Sequence, residues 1–258
     1  MPTDFANALS TDAKTIPVID VSGAISGDGI KSVADAIYAA AINHGFFYIS
    51  NHGIDSVLIK KAFAVSKAFF ELPEGDKQAV AVDRNQRGWL AQGMSRMQGS
   101  KTHDLKEVFF WGPHTEADDV DVLARKPLCA VNQWPKDFPR LYEDLTPYYD
   151  AVCQMARKIM SAFAVSLDQP ADFFDKAYAK PLARGQIVYY PASTQEDETK
   201  ERFGVAPHTD FGVLTILLQD SSGGLQVRAK SGSWIEAPPI PDTLVCNIGD
   251  LLARWSNN

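Results

Sequence analysis

Apolar residues along this chain follow two rhythms, and the change comes near Pro181. Before it, helical spacing dominates. Val33, Ile37, Ala40 and Ala41 fall on one face of a helix expected over 29–43, with Gly45 as its stop. Leu58, Ala62, Val65 and Phe69 repeat the pattern up to Leu72-Pro73, with Asp55 placed to cap that helix. A long helix is expected from near Asp137, with Pro139 in its first turn. Leu141, Leu145, Tyr148, Val152, Met155, Ile159 and Phe163 form its apolar stripe, and Pro147 should kink or divide it. A shorter helix is expected over 170–180. Two short strands, 16–21 and 46–49, interrupt the early helices, and the stretch 80–113 is irregular.

After Pro181 the apolar runs are short and closely punctuated. Strands are expected at 187–190, 213–218, 225–227, 233–237, 243–248 and 251–255. Ser222-Gly223-Gly224, Pro238-Pro239, Pro241-Asp242 and Gly249-Asp250 supply turns between them. Many short strands with such turns suggest a sandwich or jelly roll. The polar stretch 192–202 reads as a surface loop. Three regions follow: an α/β region over 1–120, helical support over 121–182, and a β core over 183–258, together forming one unit.

Composition narrows the function classes. The chain has 258 residues, 45% hydrophobic and 22% charged, the profile of a globular protein with a sizeable core. A net charge of −7 without a long basic run argues against a nucleic-acid partner. No apolar run is long enough to cross a bilayer, and the start lacks the apolar core of a signal peptide. Cys129, Cys153 and Cys246 are odd in number and widely spaced, which suits reduced thiols and a cytoplasmic setting.

The candidate chemistry sits at His208-Thr209-Asp210. In a strand, residues i and i+2 leave the same face, so His208 and Asp210 could both reach one metal ion. Imidazole and carboxylate suit an open Fe(II) site when a second His completes the face. Spacing alone leaves open a surface His beside a turn Asp. His44 and His52 flank glycines and read as turn or capping groups, and His103 and His114 read as surface residues.

Around this motif an ordered series of segments carries a resemblance. Ile16-Pro17-Val18-Ile19-Asp20, the run from His44-Gly45-Phe46 to Asn51-His52-Gly53, Tyr189-Tyr190-Pro191, the run from Leu214 to Asp220, Gly224-Leu225-Gln226-Val227, and Asn247-Ile248-Gly249-Asp250 occur in that order. In this the chain resembles the iron(II)- and 2-oxoglutarate-dependent oxygenases of the isopenicillin N synthase type. The resemblance implies a distorted double-stranded β-helix, or jelly roll, flanked by N-terminal and middle helices. It implies Fe(II) held by His208, Asp210 and a distal His, with 2-oxoglutarate and O2 as co-substrates and a small molecule as substrate. Tyr190 matches a tyrosine that hydrogen-bonds the co-substrate carboxylate. Val188 stands where plant members often carry Asn.

The resemblance places the distal His shortly after Gly249-Asp250 and an Arg-x-Ser motif further on, whereas no His follows His208 here. The core is therefore expected to stop within the sixth of about eight strands. Taken alone, the chain is expected to be inactive and poorly stable, with unpaired strand edges. Substrate-facing candidates are Arg87, Trp89, Met94, Arg96 and Met97, with Phe211 beside the metal motif; the bland alternative is a solvated loop with a few buried anchors. Asn247 and Asp250 are read as structural. Two other functions remain open: an oxidase of the same fold that does not use 2-oxoglutarate, and a non-catalytic metal- or ligand-binding module.

Overall fold

The computed structural model describes residues 16–97, 100–200 and 202–256. In chain order the elements are β1 (Val18–Asp20), α1 (Ser22–Ser26), α2 (Ile30–Asn43), β2 (Phe46–Ser50), α3 (Ser56–Phe70), α4 (Glu74–Gln78), β3 (Gly88–Leu90) and β4 (Glu107–Trp111). Then come α5 (Val120–Leu123), α6 (Arg140–Ser166), β5 (Gly185–Tyr189), α7 (Gln195–Thr199), β6 (Leu214–Leu217), β7 (Gln226–Arg228), β8 (Trp234–Glu236), β9 (Thr243–Ile248) and α8 (Asp250–Trp255). Among the described residues, three short sheets together with helices make a mixed α/β fold. Among the described residues no helix is long and apolar enough to cross a membrane.

The elements divide into two compact units. The first takes the described residues of Met1–Gly53, Gln154–Ala179 and Thr209–Asn258; the second takes those of Ile54–Cys153 and Lys180–His208. Consecutive sequence is a poor guide here, because strands pair with partners far along the chain.

In the first unit the sheet order is β1-β2-β9-β6. β1 runs parallel to β2, while β9 is antiparallel to both β2 and β6. β2 reads Phe46-Phe47-Tyr48-Ile49, and its central residues are fully buried, as its unbroken apolar run requires. The hairpin β7-β8 packs Val227 and Ile235 against Tyr48 and Val245. Helix α2 ends as expected: Gly45 has φ +74 and donates back to the Ala40 and Ala41 carbonyls.

In the second unit the sheet order is β3-β4-β5. Its core joins Phe69, Trp89, Phe109 and Trp111 to Leu141 and Leu145 of α6. Asp55 caps α3 through its side chain, accepting from the Val57 N–H at 2.8 Å. Beneath this core Lys77 donates to Glu107 Oε1 at 2.7 Å, and Trp89 Nε1 donates to the same oxygen at 2.5 Å.

Two expected elements are corrected. Residues 251–255 are helical, not a strand. Gly249 is the extended N-cap, Asp250 lies in the first turn and Arg254 in the last, each matched to the helix dipole. A short apolar run does not by itself separate helix from strand. Residues 170–180 form successive turns instead of a helix, with Phe173 N–H bonded to Pro170 and Asp175 N–H to Asp172. Pro147 does not divide α6, which continues for 27 residues. The buried Leu141 and Leu145, with Tyr148 and Tyr149 packed beside them, offset the roughly 3 kcal/mol that an interior proline costs.

Candidate metal centre

His208 and Asp210 do not sit in a strand. They lie in irregular chain ahead of β6, so the alternation of a strand is not what orients them. His208 ends the second unit and Thr209-Asp210 begins the last segment of the first. Each side chain is held by hydrogen bonds within its own unit.

In the second unit, His208 Nδ1 lies 2.9 Å from the Ala206 carbonyl oxygen. A carbonyl only accepts, so Nδ1 carries the proton and the ring lone pair resides on Nε2. The Ala206 N–H in turn donates to Asp104 Oδ1 at 3.1 Å. Asp104 is 1% exposed and also accepts from Ser95 Oγ at 2.7 Å. Tyr190 follows β5 and is half exposed. Its ring lies against Gly204 so closely that a Cβ there would come within 2.6 Å of Cδ1. Desolvation, and secondarily the Asp104 charge, raises the Tyr190 pKa above the ordinary phenol value. At neutral pH its hydroxyl therefore remains a hydrogen-bond donor.

In the first unit, Asp210 is half buried. Its Oδ2 accepts from Thr215 Oγ1 at 2.6 Å and from Asn247 Nδ2 at 2.8 Å. Thr215 and Asn247 are register partners across β6 and β9. The Asp210 carbonyl accepts from the Asp250 N–H at 2.8 Å, and Thr209 Oγ1 donates to Asp250 Oδ2 at 3.0 Å. Gly249 makes this close approach feasible, since a Cβ there would stand 2.2 Å from Gly212 O and 2.7 Å from Asp210 O. The reading of Gly249-Asp250 as a hairpin turn is thus corrected: the pair begins α8 and grips the Asp210 loop.

These features suit a divalent iron site. Ligating histidines donate their other ring N–H to a carbonyl or carboxylate, and ligating carboxylates are themselves hydrogen-bonded. His208 and Asp210 show both. Among the described residues there is no group of three or more His, Cys, Asp or Glu that could hold a metal. His208 and Asp210 remain the candidate donors, each held in its own unit.

The other candidates separate by burial. Arg87 is 4% exposed, and its guanidinium donates to the carbonyls of Asn85, Gln86 and Leu128. Trp89 is buried with its indole N–H on Glu107. Both are buried in the second unit, and the hydrogen bonds named are made to protein groups. Met94 is 69% exposed and Phe211 is 89% exposed, so these two remain accessible. Sequence reading missed Asp104, Thr215 and Gly204. It also took Asn247 as purely structural, though the register pairing places its amide on Asp210.

Comparison with known proteins agrees with this geometry. Residues 16–137 match the family described as non-haem dioxygenase in morphine synthesis, N-terminal, and residues 185–258 match the 2OG-Fe(II) oxygenase superfamily. A homoarginine-6-hydroxylase of Oryza sativa subsp. japonica is 34% identical, aligned over 96% of this chain and 79% of its own length. A 1-aminocyclopropane-1-carboxylate oxidase of Dictyostelium discoideum is 32% identical over 96% of this chain and 76% of its own. Among solved structures, a full-length Neurospora crassa protein in complex with alpha-KG superposes with a TM-score of 0.80 at 31% identity, covering 94% of this chain and 75% of that one. The chain belongs to the 2-oxoglutarate- and Fe(II)-dependent oxygenase superfamily, whose members use Fe(II), 2-oxoglutarate and O2. Its fold is the jelly roll of that superfamily.

Proposed function

We propose that this protein oxidises a small molecule by hydroxylation, desaturation or ring closure, with His208 and Asp210 as iron ligands and Tyr190 as a contact to 2-oxoglutarate. The observation that carries this reading is the pair of supporting hydrogen-bond sets, one behind each proposed ligand. When bound, Fe(II) with 2-oxoglutarate supplies oxygen activation coupled to oxidative decarboxylation of the co-substrate.

The chain's own residues bind and orient. The Ala206 carbonyl holds the His208 proton at Nδ1, so that Nε2 would be the ring atom to hold the metal. Thr215 and Asn247 occupy Asp210 Oδ2 with two hydrogen bonds, which fixes the carboxylate plane and directs its remaining coordination. Tyr190, held neutral, donates its O–H to a co-substrate carboxylate. Relatives described as acting on homoarginine and 1-aminocyclopropane-1-carboxylate, and the Neurospora crassa protein crystallised with alpha-KG and thymine, support a small polar molecule as substrate. Phe211, exposed in the first unit, is the residue proposed to face it. A reducing compartment, the cytoplasm, suits three cysteines that are not joined in disulfides.

The test is succinate formation from 2-oxoglutarate with Fe(II) under air, across a panel of small amino acids and pyrimidines. Succinate rising with one substrate class, and only with iron present, is the expected result. Equal succinate with and without iron would refute the reading.

A further inference from the structure

The second unit contains a buried carboxylate that the proposed chemistry does not use. Asp104 is 1% exposed. Burying a carboxylate is costly, and a well-packed apolar residue often serves stability as well or better. Its placement therefore calls for a reason other than packing. Its Oδ1 accepts from the Ala206 N–H at 3.1 Å, and the same residue's carbonyl accepts from His208 Nδ1 at 2.9 Å. Ala206 thus links the carboxylate to the imidazole. Oδ2 takes the Ser95 hydroxyl at 2.7 Å and the Lys106 ammonium at 3.4 Å, which pins the carboxylate from its other side. A second tie runs alongside, from the Leu105 N–H to the Phe203 carbonyl at 3.0 Å. Together they hold the 203–206 loop to the 104–105 segment, and Ala206 itself is 7% exposed.

We propose that Asp104 is a positioning residue for His208, acting through Ala206 to hold the imidazole in its Nδ1–H tautomer with Nε2 available as the donor. This rests on the reading of His208 as a metal ligand. The Ala206 N–H and C=O belong to successive peptide groups, so the link is one of position: the carboxylate fixes the Ala206 backbone, and with it the carbonyl that the ring meets. Outer groups of this kind typically change metal affinity by about 10–100-fold when removed.

The test begins without metal. Long-range proton–nitrogen correlation spectra of the 15N-labelled full chain report which ring nitrogen carries the proton, with His208→Gln assigning the signal. The wild type shows the proton on Nδ1. Asp104→Ala introduces the Nε2–H form and weakens Co(II) binding by about 10–100-fold. Asp104→Asn, which keeps an acceptor oxygen but no charge, falls between the two. Ser95→Ala, which removes a bond to the same carboxylate but leaves the Ala206 link, keeps the wild-type tautomer. A role confined to stability would lower melting in the Asp104 variants without changing the tautomer. Asp104→Ala that folds with the proton still wholly on Nδ1 would overturn the proposal. Where the alanine variant does not fold, unchanged ring shifts and unchanged Co(II) affinity in Asp104→Asn would overturn it. Equal Co(II) binding by wild type and His208→Gln would instead refute the metal reading, while the tautomer still tests the link to Asp104.

Discussion

Thr215 and Asn247 stand directly opposite each other across the antiparallel pair β6–β9, and both donate to Oδ2 of Asp210, at 2.6 and 2.8 Å. A cross-strand pair thus becomes a clamp on a proposed metal ligand. Thr215→Val keeps the shape and loses the hydroxyl, and Asn247→Ala loses the amide. Each variant is expected to weaken Co(II) or Fe(II) binding by about tenfold or more. Because both act on one oxygen, the double variant should cost less than the two singles combined. Metal titration of the four proteins checks this, and strict additivity would mean that the clamp does not act as a unit.

Gly249 meets backbone, not side chains, where it passes the Asp210 loop. Gly249→Ala is expected to destabilise the protein by about 1–3 kcal/mol, the range for forcing atoms into filled space. Urea unfolding measures it. A variant as stable as the wild type would show that the loop can retreat from Gly212 and Asp210.

How much of this was legible in sequence depends on the kind of contact. Asp55 as a cap, Gly45 as a helix stop, and the α3 stripe from Ala62 to Phe69 are local features, and local spacing identified them. His208 and Asp210 stood out by residue type and by the segments around them. Their supports did not. Thr215 and Asn247 are far apart in sequence and meet only through strand register. Asp104 reaches Ala206 across a still wider gap, from a stretch with no periodicity to read. Arg87 and Trp89 show another limit: polarity and aromaticity are visible in sequence, and their burial is not. Residues 251–255 misled for a related reason: Leu251, Leu252 and Trp255 suit a strand or a helix, and the hydrogen bonds from Gly249, Asp250 and Leu251 to the 210–213 loop decide between them.

Lys77 and Glu107 form a buried pair whose side chains are 9% and 12% exposed, with Trp89 on the same carboxylate oxygen. Lys77→Ala leaves Glu107 buried without its cation. That is expected to cost about 3–5 kcal/mol, the range for breaking a buried ion pair from one side. Lys77→Met together with Glu107→Gln should recover part of the loss, since neither buried charge then remains. Lys77→Met alone keeps the packing but leaves the Glu107 charge uncompensated, so chemical denaturation that finds the double variant more stable than Lys77→Met distinguishes buried charge from lost packing.

His52 is buried, and desolvation holds its pKa below the ordinary histidine value, partly opposed by Asp242. The folded protein therefore binds this proton less readily than the unfolded chain. His52 makes no pH-dependent contribution well above about pH 6.5. As pH falls through that value, the unfolded state gains a proton first and stability declines, until the lower folded pKa is passed. Melting temperature should drop between about pH 7 and 5.5, and His52→Gln should flatten that part of the profile. An identical profile in the variant would assign the acid sensitivity to other groups.

The central claim is that His208 and Asp210 hold the metal. Titration of Mn(II), a redox-stable stand-in for Fe(II), followed by the loss of its free-ion paramagnetic resonance signal, tests this most directly. The wild-type chain should bind Mn(II) more tightly in the presence of 2-oxoglutarate, and His208→Ala and Asp210→Ala should each abolish that binding while retaining the wild-type fold. Folded variants that bind Mn(II) as the wild type does would contradict the account.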